Sequence, residues 1–114
     1  MPMANRVHQP RENAEFEFIL ARADVPVLAY FHGVWPKAVA ACKEMDPLVR
    51  EAADAYEGRL IVVRADIARC PGPVQRYGVT GAPSFVLIDR GEATAAASGP
   101  MSRIALGEFL DAHL

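Results

Sequence analysis

Two cysteines, Cys42 and Cys70, and three histidines, His8, His32 and His113, are the side chains of this 114-residue chain best suited to nucleophilic, redox or metal chemistry. Dithiol reduction needs an exposed, low-pKa thiolate to attack a disulfide and a second thiol to resolve the mixed disulfide. Cys42 and Cys70 do not supply that local pair, because the residues between them leave room for a strand and a loop. The histidines have no mutual metal spacing, and two cysteines alone do not make a zinc site. Neither a metal nor a cofactor is therefore expected. Cys42 has two readings: a small apolar residue on the inner face of a helix, or a monothiol nucleophile aided by Lys43 and His32. Cys70 reads as an exposed spectator thiol. His32 reads as a half-exposed loop residue, with proton exchange as the alternative.

Stepwise punctuation along the chain gives the elements that must position these groups. Asn13 to Asp24 places Phe16, Ile19, Leu20 and Ala23 at i, i+3, i+4 and i+7, the stripe of an amphipathic helix, with Asn13 as its N-cap. Val27 to Phe31 is a short apolar run typical of a strand buried on both faces. From Val39 to Tyr56 the residues Cys42, Met45, Leu48, Val49, Ala52, Ala53 and Tyr56 keep a helical period, interrupted by Pro47. That pattern fits one kinked helix, or two helices with Asp46 capping the second. Leu60 to Val63 is a second buried strand, and a helical turn around Val74 to Tyr77 follows. Ser84 to Ile88 is a third strand, and Asp89-Arg90-Gly91 turns tightly into Glu92 to Ser98. Ser102 to Leu114 closes the chain as a helix. Helices alternating with strands, and a terminal hairpin, predict an α/β fold with a mixed central sheet flanked by helices.

Composition narrows the partners. The length suits a single domain over residues 1–114. Hydrophobic residues make up 52% and charged residues 23%, which fits neither a disordered chain nor a membrane protein. A net charge of −2 gives no electrostatic footprint for nucleic acid or anionic lipid. The first dozen residues lack the apolar run of a signal peptide, so a cytoplasmic location with reduced thiols is expected.

Pro26 to Trp35 (PVLAYFHGVW) resembles the strand and aromatic-rich turn that lead into the thioredoxin active site. Cys42-Lys43 followed by Pro47 resembles the second active-site cysteine, its basic neighbour and the helix proline five residues on. Tyr77 to Ser84 (YGVTGAPS) resembles the loop that carries the family's cis-proline, and Gly91-Glu92 and Ser98-Gly99 resemble its hairpin turn and glycine loop. The likeness runs from about Arg6 to the C-terminus. It implies a thioredoxin-like fold and a cis Ala82-Pro83 bond, against a general X-Pro cis frequency of about 5–6%.

The departures from the family are concentrated at the chemistry. Where thioredoxins place Trp-Cys-Gly-Pro-Cys-Lys, this chain has Trp35-Pro36-Lys37-Ala38-Val39-Ala40-Ala41-Cys42-Lys43. Three residues are inserted, and the nucleophile's position holds Pro36 counted forward from Trp35, or Val39 counted back from Cys42. Tyr30 replaces the family's buried aspartate, and Arg64 stands where a lysine partners it, so the proton relay is expected to be lost. An added helical turn beginning at Pro36 would put Cys42 on the buried stripe with Met45 and Val49; a bulge over Pro36 to Ala41 would leave it near the helix start. The resemblance also implies a peptide-binding groove formed by Trp35, Val79, Gly81, Ala82, Pro83 and Gly99, which would hold an extended client as an added strand. Two functions follow: a binding module of adaptor or chaperone type without dithiol chemistry, or a monothiol oxidoreductase with Cys42 as its catalytic residue and an external resolving thiol.

Overall fold

The computed structural model describes residues 7–114. The Arg6 edge of the resemblance and residues 1–6 of the dozen read for a signal peptide lie outside the described residues. The elements run β1 (Val7–His8), α1 (Asn13–Arg22), β2 (Val27–His32), α2 (Pro36–Ala55), β3 (Ile61–Asp66), α3 (Pro71–Arg76), β4 (Ser84–Asp89), β5 (Glu92–Ser98) and α4 (Arg103–His113). They form one mixed sheet in the order β1-β3-β2-β4-β5, with β1, β3 and β2 mutually parallel and β4 antiparallel to both of its neighbours, β2 and β5. The expected α/β architecture is thus present. β1 escaped the sequence reading because two residues are too few to show an alternation.

Strand alternation sends successive side chains to opposite faces and builds two cores. Leu28 and Tyr30 of β2 face α2 and α4, packing with Met45, Val49, Phe85, Leu106 and Leu110. Val27, Ala29 and Phe31 face α1 and the α3 region, packing with Phe16, Cys70, Val86 and Ile88. β2 is consequently buried on both sides, as its unbroken apolar run predicts.

Local differences have local causes. Asn13 does not cap α1; the N-cap is Glu12, and the Asn13 Oδ1 instead accepts from the Gly72 N–H at 3.0 Å, tying α1 to α3. The third helix begins at Pro71, because a proline in the first turn lacks only an N–H that would have had no partner there. The same reasoning starts α2 at Pro36, and Ala38, Ala40 and Ala41 propagate it. Pro47 lies inside this one 20-residue helix rather than opening a second. In the β4–β5 hairpin Arg90 (φ 55°) and Gly91 (φ 83°) both take left-handed backbone, as a two-residue turn between twisted strands requires. Ser102 caps α4, its hydroxyl accepting from the Ala105 N–H at 3.0 Å.

Candidate functional site

The carboxyl end of β2 delivers His32 and a buried Gly33 to the start of α2. Trp35 is the N-cap residue of α2 and is 41% exposed, and Val34 and Val39 beside it are exposed too. The indole is folded back over Gly33 so closely that a Cβ on Gly33 would lie 2.2 Å from a ring atom. Only glycine leaves that space.

Cys42 sits six residues past Pro36, on the buried stripe with Met45 and Val49, and is 4% exposed. The inserted residues have therefore formed an added helical turn rather than a bulge. The Ala38 and Val39 N–H groups both donate to the Trp35 carbonyl, at 2.9 and 3.0 Å, and close the first turn of the helix. Cys42 is a turn beyond them, where the field of the helix terminus has faded.

Beneath Cys42 lies a polar network. The Tyr30 hydroxyl is 2.9 Å from the Cys42 carbonyl and 3.0 Å from Asp46 Oδ1, and Arg64 Nε donates to the same Asp46 oxygen at 3.1 Å. Both charged side chains are less than a third exposed. Burial first, and then the Asp46 charge and the neighbouring Cys42, push the Tyr30 phenol well above its ordinary value and keep it a neutral donor. A carboxylate–cation pair thus persists under the site, but its carboxylate comes from the helix rather than from β2. Sequence reading missed Asp46. Its signal was the four-residue spacing from Cys42, which places both on one helix face. Removing the hydroxyl in Tyr30→Phe should cost about 1–3 kcal/mol, since the one phenol proton within reach of the Asp46 carboxylate and the Cys42 carbonyl is lost from a buried site; urea unfolding of the two proteins measures it.

His32 is the last residue of β2, half-buried, and not a loop residue as expected. Burial, followed by the Arg64 charge, lowers its pKa below 6.5, with Asp66 and Asp46 opposing. The unfolded chain therefore takes up this proton at a higher pH than the folded one. The His32 contribution is fully present above the unfolded value of 6.5 and is lost as pH falls through the folded value. His32→Gln should flatten the stability profile in the window just below pH 6.5, as read by urea midpoints at a series of pH values.

On the other side of the site the Ala82-Pro83 peptide bond is cis. The Gly99 N–H donates to the Pro83 carbonyl at 2.8 Å, with Gly99 at φ +86°, and Ser84 Oγ donates to the Gly81 carbonyl at 2.6 Å. A Cβ added at Gly81 or Gly99 would meet nothing within 4 Å, so open space lies in front of both. Val79 is packed partly into the core with Cys70 and Val86, and Pro83 is buried. Of the six residues expected to line a groove, Trp35, Gly81, Ala82 and Gly99 offer accessible surface, whereas Val79 and Pro83 mainly support it.

The thioredoxin family model matches residues 7–112, nearly the whole chain. The chain belongs to the thioredoxin family. It is 33% identical to the thioredoxin of Pseudomonas aeruginosa over 102 residues, covering 90% of this chain and 92% of the relative. It is similarly 32% identical to the thioredoxin of Acidithiobacillus ferridurans over 99 residues, covering 87% and 89%. The thioredoxin of Haemophilus influenzae is 26% identical over 102 residues. The sheet order, the two helical layers and the cis-proline loop fit that membership.

Within this thioredoxin fold the second cysteine is far from the first. Cys70 is the N-cap residue of α3 and is fully buried in the core on the opposite face of the sheet from α2. The expected exposed spectator thiol is therefore corrected: the Pro71 turn tucks Cys70 under α1. Burial, then Asp66 and Glu15, push its pKa up. Both thiols are free. Among the described residues no cluster of histidine, cysteine and carboxylate side chains could hold a metal ion, and no helix is long and apolar enough to cross a membrane.

Proposed function

We propose that this protein is an atypical thioredoxin-family module that binds an extended peptide or protein segment in the cytoplasm without performing dithiol reduction. The observation that carries this reading is the contrast between the two sides of the site. The thiol side is closed: Cys42 is buried and has no second thiol near it. The backbone side is open at Gly81-Ala82 and Gly99, next to the exposed indole of Trp35. An extended peptide can pair its main chain with the Gly81-Ala82 segment as an added short strand, its side chains resting on Trp35 and Val39. Family membership supports clients drawn from thiol–disulfide proteins. The monothiol reading, with Cys42 as catalytic residue, lacks a supporting observation because the sulfur is covered.

Panning a random, cysteine-free peptide library on the wild-type protein tests the groove. Gly81→Leu is the counter-selection, because its side chain projects into open space and leaves the fold intact. Peptides that bind wild type and lose about tenfold or more on Gly81→Leu are expected. Failure to enrich any peptide sensitive to Gly81 would remove the groove from the account.

A further inference from the structure

A second cleft, separate from the peptide groove, opens at the carboxyl ends of the parallel strands and has a volume of about 640 Å³. Its position follows from the topology. His32 and Asp66 are register partners at the ends of β2 and β3. Beyond them the chain leaves β2 for α2 on one face and leaves β3 for α3 on the other. Where adjacent strands send their connections to opposite faces, a crevice remains outside the sheet, and ligands of open α/β sheets bind there. The volume lies in the range of small-molecule sites.

The walls of this cleft are basic in a chain whose net charge is −2. Arg11 comes from the β1–α1 connection, Arg64 from β3 and Arg69 from the β3–α3 connection. Arg64 uses Nε and Nη2 on Asp46, and its Nη1 makes no hydrogen bond to the described residues. Arg11 and Arg69 form no ion pair with the described residues. Asp66 is the one carboxylate lining the cleft, and its Oδ1 accepts from the Ala68 N–H at 2.8 Å. His32 closes the inner end as a neutral ring at pH 7, able to give one N–H without adding charge.

We propose that this cleft binds the phosphate group of a small molecule, held between Arg11, Arg69 and the Nη1 of Arg64, with His32 donating from the inner end. Guanidinium groups arriving from three segments suit a tetrahedral anion that accepts from several directions, whereas a planar carboxylate is filled by one fork. The group has two sources, free inorganic phosphate and a phosphate monoester, and the cleft has room for the organic part of the second.

The test is a titration of the full chain followed by the His32 ring signals and the amide signals of residues 64–69. Inorganic phosphate, glycerol 3-phosphate and acetate are compared at matched ionic strength. Saturable shifts with phosphate or glycerol 3-phosphate, about tenfold or more tighter than with acetate, are expected. Tighter binding of glycerol 3-phosphate assigns the ester as ligand, and equal binding assigns inorganic phosphate. The Arg11→Gln, Arg69→Gln double variant should lose about tenfold in affinity, and Arg69→Gln alone should lose part of it; both changes are at exposed positions, so the fold is kept. Equal shifts with acetate, absence of saturation, or affinity unchanged in the double variant would each overturn the proposal. None of these outcomes touches Gly81, so the peptide groove stands or falls separately.

Discussion

Insulin disulfides should be reduced in the presence of this protein no faster than by dithiothreitol or by thioredoxin reductase without it. The reason is the geometry of both thiols. Cys42 lies under the surface on the inner stripe of α2, and Cys70 lies in the core on the other face of the sheet. A mixed disulfide at either sulfur would have no neighbouring thiol to resolve it. Replacing Pro36 to Ala41 by Cys-Gly-Pro removes the added turn and returns a dithiol to the helix start, so partial activity should appear. Recovery should stay below that of an ordinary thioredoxin, because Tyr30 holds a neutral phenol where the family has a carboxylate, and Asp46 is already engaged by Tyr30 and Arg64. Turnover by the unaltered chain at the level of its dithiol relatives would contradict this reading of the site.

Alkylation of Cys42 by iodoacetamide should be slower in the folded protein than in denaturant by about 100-fold or more, since reagent reaches a covered sulfur only through local opening. Peptide mass spectrometry separates Cys42 from Cys70 without a substitution. That matters, because Cys70→Ser would place a hydroxyl in an apolar core and disturb the measurement. Both cysteines should be protected. Rapid modification of Cys42 at neutral pH would show a sulfur available to attack, and would move the assignment to a monothiol enzyme.

Much of this architecture was legible because it rests on periodicity. The unbroken run Val27 to Phe31, the stripe through Met45 and Val49, and the Asp89-Arg90-Gly91 turn each have a local signature that tertiary contacts reinforce. Other features were hidden because they depend on distant partners. Asn13 has the composition of a cap, yet its side chain is claimed by Gly72, 59 residues along the chain. Cys70 beside Pro71 and Gly72 looks like loop surface, and only the packing of α1 against α3 buries it. At the site, the fate of Cys42 depended on whether the inserted residues coiled or bulged. Pro36 at the first helical position, with three alanines behind it, decided for the coil. Asp46 was invisible as a site residue because its partners, Tyr30 and Arg64, are on two strands and 16 and 18 residues away.

The separation of binding from thiol chemistry is the centre of this account, and one comparison tests it directly. A peptide selected on the wild-type protein is titrated against wild type, Cys42→Ala and Gly81→Leu, with the fluorescence of Trp35, the single tryptophan, as the signal. Cys42→Ala should bind the peptide within about twofold of wild type, while Gly81→Leu should lose about tenfold or more. Loss of binding in Cys42→Ala with retention in Gly81→Leu would contradict the account and place the function at the sulfur.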